Sequence, residues 1–190
     1  MTDVPPRAEA RRREYATSDA LLTLPLPEAA PVQALTRALA ESMTAGQTPP
    51  VRRAGDALLT ALSAFYGVPV PPLRVLGVRP HVVTAGVCTY QLFGDYTPST
   101  HRIRVWMRTA IRGKVSSPRA LLNTLLHEFC HHLAGARFGC PESYHTRGFY
   151  TRIAHLYHLA LATPPEARRP LRWIKRGPVW TGDWNKLRPR

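Results

Sequence analysis

The sequence predicts an α+β fold that is mainly helical, with a small antiparallel sheet of about three strands. Apolar residues recur at helical spacing in the first third of the chain and again after residue 117. Between these regions, short runs rich in β-branched and aromatic residues alternate with turn signals. A length of 190 residues suits one domain with an apolar core, so we expect a single domain over residues 28–163 with an extension at each end.

The two extensions differ in charge. Residues 1–27 combine prolines with four arginines and four acidic residues, which predicts a neutral, disordered arm. Residues 164–190 hold eight basic and two acidic residues together with three tryptophans and several prolines. We expect them to form a basic tail.

Two helices are predicted after the arm. The first covers residues 32–43 and ends near Gly46. The second follows Pro50 and is ended by Gly67 and Pro69. The apolar faces of the two helices contain Val32, Leu35, Leu39 and Met43, and Leu58, Leu59, Leu62 and Phe65. Both helices are expected to serve as scaffold.

Strand signals follow the second helix. Residues 73–78, 82–93 and 100–107 are predicted as strands. The dipeptide 79–80 and the stretch 94–98 separate them and are predicted as turns, because they contain proline, glycine and aspartate. In the last strand, alternation places an apolar set on one face and a basic and aromatic set on the other. The two sets are Ile103, Val105 and Met107, and Arg102, Arg104 and Trp106.

Two more helices complete the domain. Ser117 and Pro118 are typical of an N-cap and a first helical residue, and they predict a long helix that ends near Gly139. Its broad apolar stripe contains Leu122, Leu125, Leu126, Phe129 and Leu133. After a loop, a last helix is predicted from His145 to Leu161.

The long helix carries the pattern H-E-x-x-H at residues 127–131. Positions i and i+4 lie one turn apart on one face, so the imidazoles of His127 and His131 can bind the same metal ion. Zinc bound by three protein groups keeps a position open for water. Glu128 can take a proton from that water and return it to a leaving amine. A glutamate and two histidines in an otherwise apolar helix therefore indicate a zinc-dependent hydrolase.

A third ligand must come from elsewhere in the chain. The metzincin continuation requires glycine and histidine where this chain has Ala134 and Arg137, so that class is excluded. Glu142 and Glu166 are the downstream glutamates, and neither is predicted inside a helix beside the site. His145 follows a loop long enough for the chain to turn back. We take His145 as the third ligand, with Glu142 as its rival.

From Thr84 to His158 the chain resembles the SprT-like metallopeptidases, which include the Spartan-type DNA-dependent proteases. The resemblance rests on the segments AGVCTYQLF, IRVW, HEFCHH and HTRGF. In that family the third histidine stands in an H-G-x-x-F context, which His145 and Phe149 match, with Thr146 in place of the glycine. The resemblance implies a zincin-like domain over residues 28–163, zinc as the cofactor, protein substrates and a link to DNA. No Cys-x-x-Cys pair of a zinc ribbon occurs in the sequence.

The charge distribution indicates a polyanionic partner. The formal net charge is +14, and no acidic residue lies between Asp95 and Glu128. Six basic residues occupy that interval: Arg102, Arg104, Arg108, Arg112, Lys114 and Arg119. In the tail, Trp173, Trp180 and Trp184 alternate with basic residues, a pattern that suits single-stranded nucleic acid. Two alternatives stay open: the tryptophans pack on the domain, and the charge serves only solubility.

The remaining composition suggests a cytoplasmic setting. No apolar run has the length of a secretory signal or a membrane span, so we expect a soluble protein with no membrane partner. Cys88, Cys130 and Cys140 form no Cys-x-x-Cys pair, and we expect reduced thiols.

The sequence thus predicts a zinc metallopeptidase in which Glu128 is the general acid and base. We expect an extended substrate to add as a strand along the edge near residues 102–107. The alternative is a nucleic-acid-binding protein with a structural zinc site and little or no protease activity. Glu128 favours the enzyme, because a structural site gains nothing from a carboxylate beside an open metal position.

Overall fold

The computed structural model describes residues 4–168, 171–177 and 179–182, and in that part of the chain five α-helices accompany three small sheets. The helices are α1 (Glu9–Ala20), α2 (Ala29–Ser42), α3 (Thr48–Tyr66), α4 (Pro118–Ala136) and α5 (Arg147–Ala160). The strands are β1 (Leu73–Val78), β2 (His81–Thr84), β3 (Val87–Gln91), β4 (Gly94–Thr97), β5 (Arg102–Arg108), β6 (Trp173–Arg176) and β7 (Val179–Gly182). The predicted mixture of helices and a small sheet is confirmed. None of the described helices is long and apolar enough to cross a membrane.

Local sequence signals set the ends of the longer helices. The Oγ of Ser117 accepts a hydrogen bond from the Ala120 N–H at 3.2 Å, so the predicted N-cap of α4 is confirmed. Gly67 ends α3 with a φ of +65°, a conformation that favours glycine. Phe65 is 45% exposed, so its predicted place on the apolar face of α3 is wrong; its ring packs edge-on against Tyr66 instead.

The three-stranded sheet has the order β1-β5-β4 and is mixed. Strand β4 pairs antiparallel with β5, but β1 pairs with β5 in parallel, so the prediction of an antiparallel sheet is wrong for β1. The stretch 94–98, predicted as a turn, contains β4, in which Asp95 lies opposite Arg104. Asp95 and Arg104 become neighbours only in the folded chain, so the local sequence does not reveal that this polar stretch is a strand.

Residues 82–93 were predicted as one strand and instead contain parts of two. Strands β2 and β3 form a separate hairpin, and its turn residues Ala85 and Gly86 have φ values of +49° and +77°. Two consecutive positive φ values match the twist that a tight hairpin requires. The hairpin lies between β1 and β5 in the chain. Strand β5 then pairs with β1 and runs parallel to it.

The front arm contains helix α1, so the prediction of disorder is wrong for this stretch. Tyr15 and Ser18 are buried, and α1 packs against α5. Arg152 is 1% exposed and donates hydrogen bonds to the carbonyl oxygens of Ser18 at 3.0 Å and Leu21 at 2.9 Å. Burial lowers the pKa of this guanidinium. The helix is therefore stabilised by a residue more than 130 positions later, which the local sequence does not reveal.

Helix α4 lies between helices α2 and α5 on one side and strands β4 and β5 on the other. Helix α4 contacts α2 and α5 as well as β4 and β5. Ile103, Val105 and Met107 are buried against this core, which confirms the predicted apolar face of β5. The middle of α4 therefore lies beside β4 and the start of α5.

The tail forms the hairpin β6–β7 beside α5. The ring centroid of Trp173 lies 6.0 Å from that of Tyr150, and the Arg147 guanidinium carbon lies 4.7 Å from the centroid of Trp180. Trp173 and Trp180 therefore pack on the domain, as in one of the two alternatives that the sequence leaves open. Trp184 lies outside the described residues.

Candidate metal centre

Three imidazoles converge where α4 meets the chain segment before α5. His127 and His131 lie one turn apart on α4, and His145 directly precedes Thr146, the N-cap of α5. The Nε2 of His127 is 3.1 Å from the Nε2 of His131 and 3.1 Å from the Nε2 of His145. Tetrahedral coordination with Zn–N bonds of about 2.0–2.1 Å places nitrogens roughly 3.3 Å apart. The three residues lie close enough to hold one metal ion.

The charge state of the histidines suits metal binding. Burial, aided by His145, lowers the pKa of His127 to about 3. Burial and the two neighbouring imidazoles lower the pKa of His131 to about 2. Both rings are therefore neutral at neutral pH, which is the form that binds a metal. Two neutral imidazoles facing the ring of His145 fit a transition-metal cation, and imidazole suits zinc among several such metals.

The imidazoles are held by neighbouring side chains that are not themselves candidate metal ligands. The Oγ of Ser143 lies 2.7 Å from the Nδ1 of His131, which leaves Nε2 directed at the cluster. The ring of Tyr96 is parallel to His131 within 6°, with the centroids 6.5 Å apart. Phe149 is fully buried, and its centroid lies 4.5 Å from that of His131 and 5.1 Å from those of His127 and His145. One side of the cluster is therefore covered by an apolar ring.

A cavity of about 350 Å³ opens beside the cluster and includes Glu128 in its wall. Its other walls are the histidines, residues 94–96 of β4 and the loop residues 141–143. Glu128 is only 6% exposed, and burial together with the charge of Asp95 raises its pKa to about 8. Asp95 is itself paired with Arg104, whose Nε and Nη2 donate to the two carboxylate oxygens at 2.8 and 2.6 Å.

Glycine at position 94 allows β4 to lie this close to α4. A Cβ at Gly94 would be 2.9 Å from the Oε1 of Glu128 and 2.6 Å from the Cγ2 of Thr124. A larger residue would push the strand away from the carboxylate. Gly94 lies in the stretch 94–98, which the sequence predicts as a turn.

Glu142 does not join the cluster. Its side chain is exposed, and its carboxylate lies 3.8 Å from the Nε of Arg11 on α1. Glu166 lies in an exposed 3-10 turn, and among the described residues the metal-binding group contains the three histidines only. The structure therefore brings together His127, His131 and His145 as the sequence predicted, with Glu128 beside them.

Cys130, inside the H-E-x-x-H motif, and His132, directly after it, are not candidate metal ligands. His132 is fully buried between the Tyr96 hydroxyl, 3.2 Å from its Nδ1, and the Pro69 carbonyl oxygen, which accepts from Nε2 at 2.8 Å. Cys130 is also buried, and burial raises the pKa of its thiol to about 12. A thiol with this pKa stays protonated at neutral pH and is a poor metal ligand.

Sequence reasoning missed Ser143, Tyr96 and Asp95. Asp95 becomes visible only when residues 94–97 are taken as a strand antiparallel to β5, because that register places it opposite Arg104. Ser143 has a φ of +49° in the loop before α5, and no local pattern signals its contact with His131.

Comparison of the chain with protein-family models, with curated proteins and with solved structures finds no match.

Proposed function

We propose that this protein is a zinc metallopeptidase of the SprT-like type, with a zincin-like domain that hydrolyses peptide bonds. The observation that carries the proposal is the convergence of three imidazoles beside the buried carboxyl group of Glu128, at a cavity open to solvent. Such a combination of metal ligands and a proton-transferring group is typical of metal-assisted hydrolysis.

His127, His131 and His145 would hold the zinc ion through their Nε2 atoms. Bound zinc acts as a Lewis acid and lowers the pKa of a coordinated water to about 7. A structural zinc site is closed by four protein ligands, whereas the described residues offer three. The ligand set therefore favours the enzyme over the alternative of a structural zinc site.

Glu128 would move the proton. Its raised pKa, about 8, allows it to hold a proton near neutral pH and to release it to a leaving amine. A cation in the histidine cluster would favour the ionised form, because opposite charges stabilise each other at short range. The same carboxyl group is thereby suited to accept a proton early in the reaction and to donate it later.

The substrate would lie along β4. This strand is at the edge of the β1-β5-β4 sheet, and its residues 94–96 line the cavity. The expected edge at residues 102–107 is corrected, because β5 is the central strand and both its sides are already paired. An extended peptide added to the free side of β4 would pass the histidines and Glu128. We further propose that the substrates are proteins bound to DNA, in keeping with the basic residues of the chain.

Metal removal tests the proposed function. The full-length protein should cleave an unstructured protein such as casein, with or without single-stranded DNA. Activity should be lost after treatment with 1,10-phenanthroline and restored by about one equivalent of zinc, because the three imidazoles lie close enough to hold a single ion. Cleavage that survives complete metal removal would refute the proposal, and so would zinc-loaded protein that is inactive with and without DNA.

A further inference from the structure

The loop 137–146, which connects α4 to α5, supplies two groups to the metal centre. Ser143 contacts the Nδ1 of His131, and His145 faces His127. Ser143 adopts a φ of +49°, which is unfavourable for a residue with a side chain. This conformation persists only if neighbouring groups hold it.

Helix α1 holds this loop through a carboxylate. The Oε1 of Glu14 accepts hydrogen bonds from the backbone N–H groups of Glu142 at 2.7 Å and Ser143 at 3.3 Å. Two successive N–H groups that point at one oxygen form an anion-binding nest, and hydrogen bonds to a charged acceptor are the stronger kind. The ring of Tyr15 adds a contact with Tyr144, at 5.6 Å between centroids.

The other end of α1 holds the start of α5. The hydroxyl groups of Ser18 and Thr146 lie 3.2 Å apart, on either side of the α1–α5 contact. Asp19 accepts a hydrogen bond from the Arg147 N–H at 3.0 Å and pairs with the Nη2 of the same residue at 3.1 Å. His145 lies between the two regions that α1 fixes.

We propose that α1 completes the metal centre and that Glu14 is a positioning residue for it. Glu14 holds the backbone at residues 142 and 143, Ser143 then fixes the imidazole of His131, and the same loop presents His145. Hydrogen bonds behind the ligands orient them and raise metal affinity. This inference rests on the metal site of the proposed function. It goes beyond that function because it assigns a role to residues 1–27, which lie outside the domain that the sequence predicts over residues 28–163.

The test compares three full-length variants by zinc affinity, measured in competition with a chromophoric chelator, and by the visible spectrum of the cobalt-substituted protein. Glu14→Ala should weaken zinc binding about 10–100-fold and alter the cobalt spectrum. Glu14→Gln retains an acceptor oxygen and should recover part of the affinity. Glu9→Ala, at an exposed position in the first turn of the same helix, is the matched control and should behave as wild type.

A double variant separates positioning from general stability. Glu14→Ala and Ser143→Ala should lose less affinity together than the sum of their separate losses, because both act through the same contact with His131. Wild-type affinity and spectrum in Glu14→Ala would overturn the proposal, as would fully additive losses. If Glu14→Ala does not fold, the same comparison is made with Glu14→Gln. Zinc binding that depends on Glu14 in a protein without peptidase activity would refute the proposed function and leave this inference standing.

Discussion

The imidazoles of the metal centre pack against side chains of the loop before α5 and of α5 itself. Ser143 lies within hydrogen-bonding distance of His131, Tyr150 stacks on His145 with 25° between the ring planes, and Phe149 contacts His127 edge-on. Because these neighbours belong to the loop before α5 and to α5 itself, the metal-binding geometry depends on how α5 docks on α4. Ligands held in this way are arranged for the metal before it binds.

The identity of the third ligand gives a prediction at the scale of one residue. His145→Ala removes a nitrogen that lies 3.1 Å from the Nε2 of His127. Loss of a group that only orients a ligand lowers metal affinity about 10–100-fold. Loss of a ligand should cost more, so zinc affinity should fall by more than about 100-fold. Glu142→Ala removes an exposed carboxylate outside the cluster and should leave zinc affinity unchanged. Zinc titration of both variants checks the ranking, and the reverse order would make Glu142 the ligand.

At the scale of elements, the sequence predicts those parts of the fold that local chemistry determines. Ser117 signals the start of α4 because the cap is a contact within one turn. The H-E-x-x-H spacing places His127 and His131 on one face for the same reason. His145 was also identified, because the chain offers few alternative ligands after α4.

The elements that sequence reasoning missed are stabilised by distant residues. Strand β4 is polar and reads as a turn, yet Asp95 finds Arg104 on β5, and Gly94 allows close contact with α4. Helix α1 has no apolar stripe of its own, and Arg152 and Thr146 of the α5 region stabilise it. Neither kind of contact leaves a periodic signal in the sequence.

Close packing of α1 on α5 gives a prediction at the element scale. A Cβ at Gly148 would collide with the Ser18 carbonyl oxygen and lie within 3 Å of those of Asp19 and Leu21. Gly148→Ala should therefore lower the free energy of unfolding by about 1–3 kcal/mol and weaken zinc binding. Gly135→Ala, at an exposed position in α4 where the nearest atom is 3.8 Å away, should be neutral or stabilising by up to about 1 kcal/mol. Urea unfolding of both variants provides the measurement, and equal stability would show that α1 does not pack as described.

At the scale of the whole molecule, the positive charge is shared between the tail and the segment that leads into α4. The tail also has a packing role, since Trp173 contacts Tyr150, and Tyr150 in turn stacks on His145. Removal of the tail would disturb the metal centre as well as the charge. Substitution of individual basic residues is therefore the cleaner test of DNA binding.

The proposed DNA binding should be electrostatic. The double variant Arg112→Gln/Lys114→Gln should bind single-stranded DNA more weakly and reduce the magnitude of the slope of log affinity against log salt by about 1.4, because two fewer phosphate contacts release fewer counterions. Arg12→Gln/Arg13→Gln removes the same charge from the exposed face of α1 and should bind as wild type. Fluorescence anisotropy at several salt concentrations measures both slopes. Equal slopes for the wild type and both double variants would show that Arg112 and Lys114 do not contact the DNA phosphates.

The variant Glu128→Gln tests whether Glu128 transfers the proton in the proposed metal-dependent hydrolysis. The amide fits the same buried site and leaves the three imidazoles untouched, but it cannot accept a proton. Glu142→Gln, at the rim of the same cavity, is the matched control and should retain activity. We predict that Glu128→Gln binds about one equivalent of zinc and that its rate of peptide cleavage falls by at least about 100-fold. Zinc-loaded Glu128→Gln that cleaves at close to the wild-type rate would show that Glu128 does not transfer the proton.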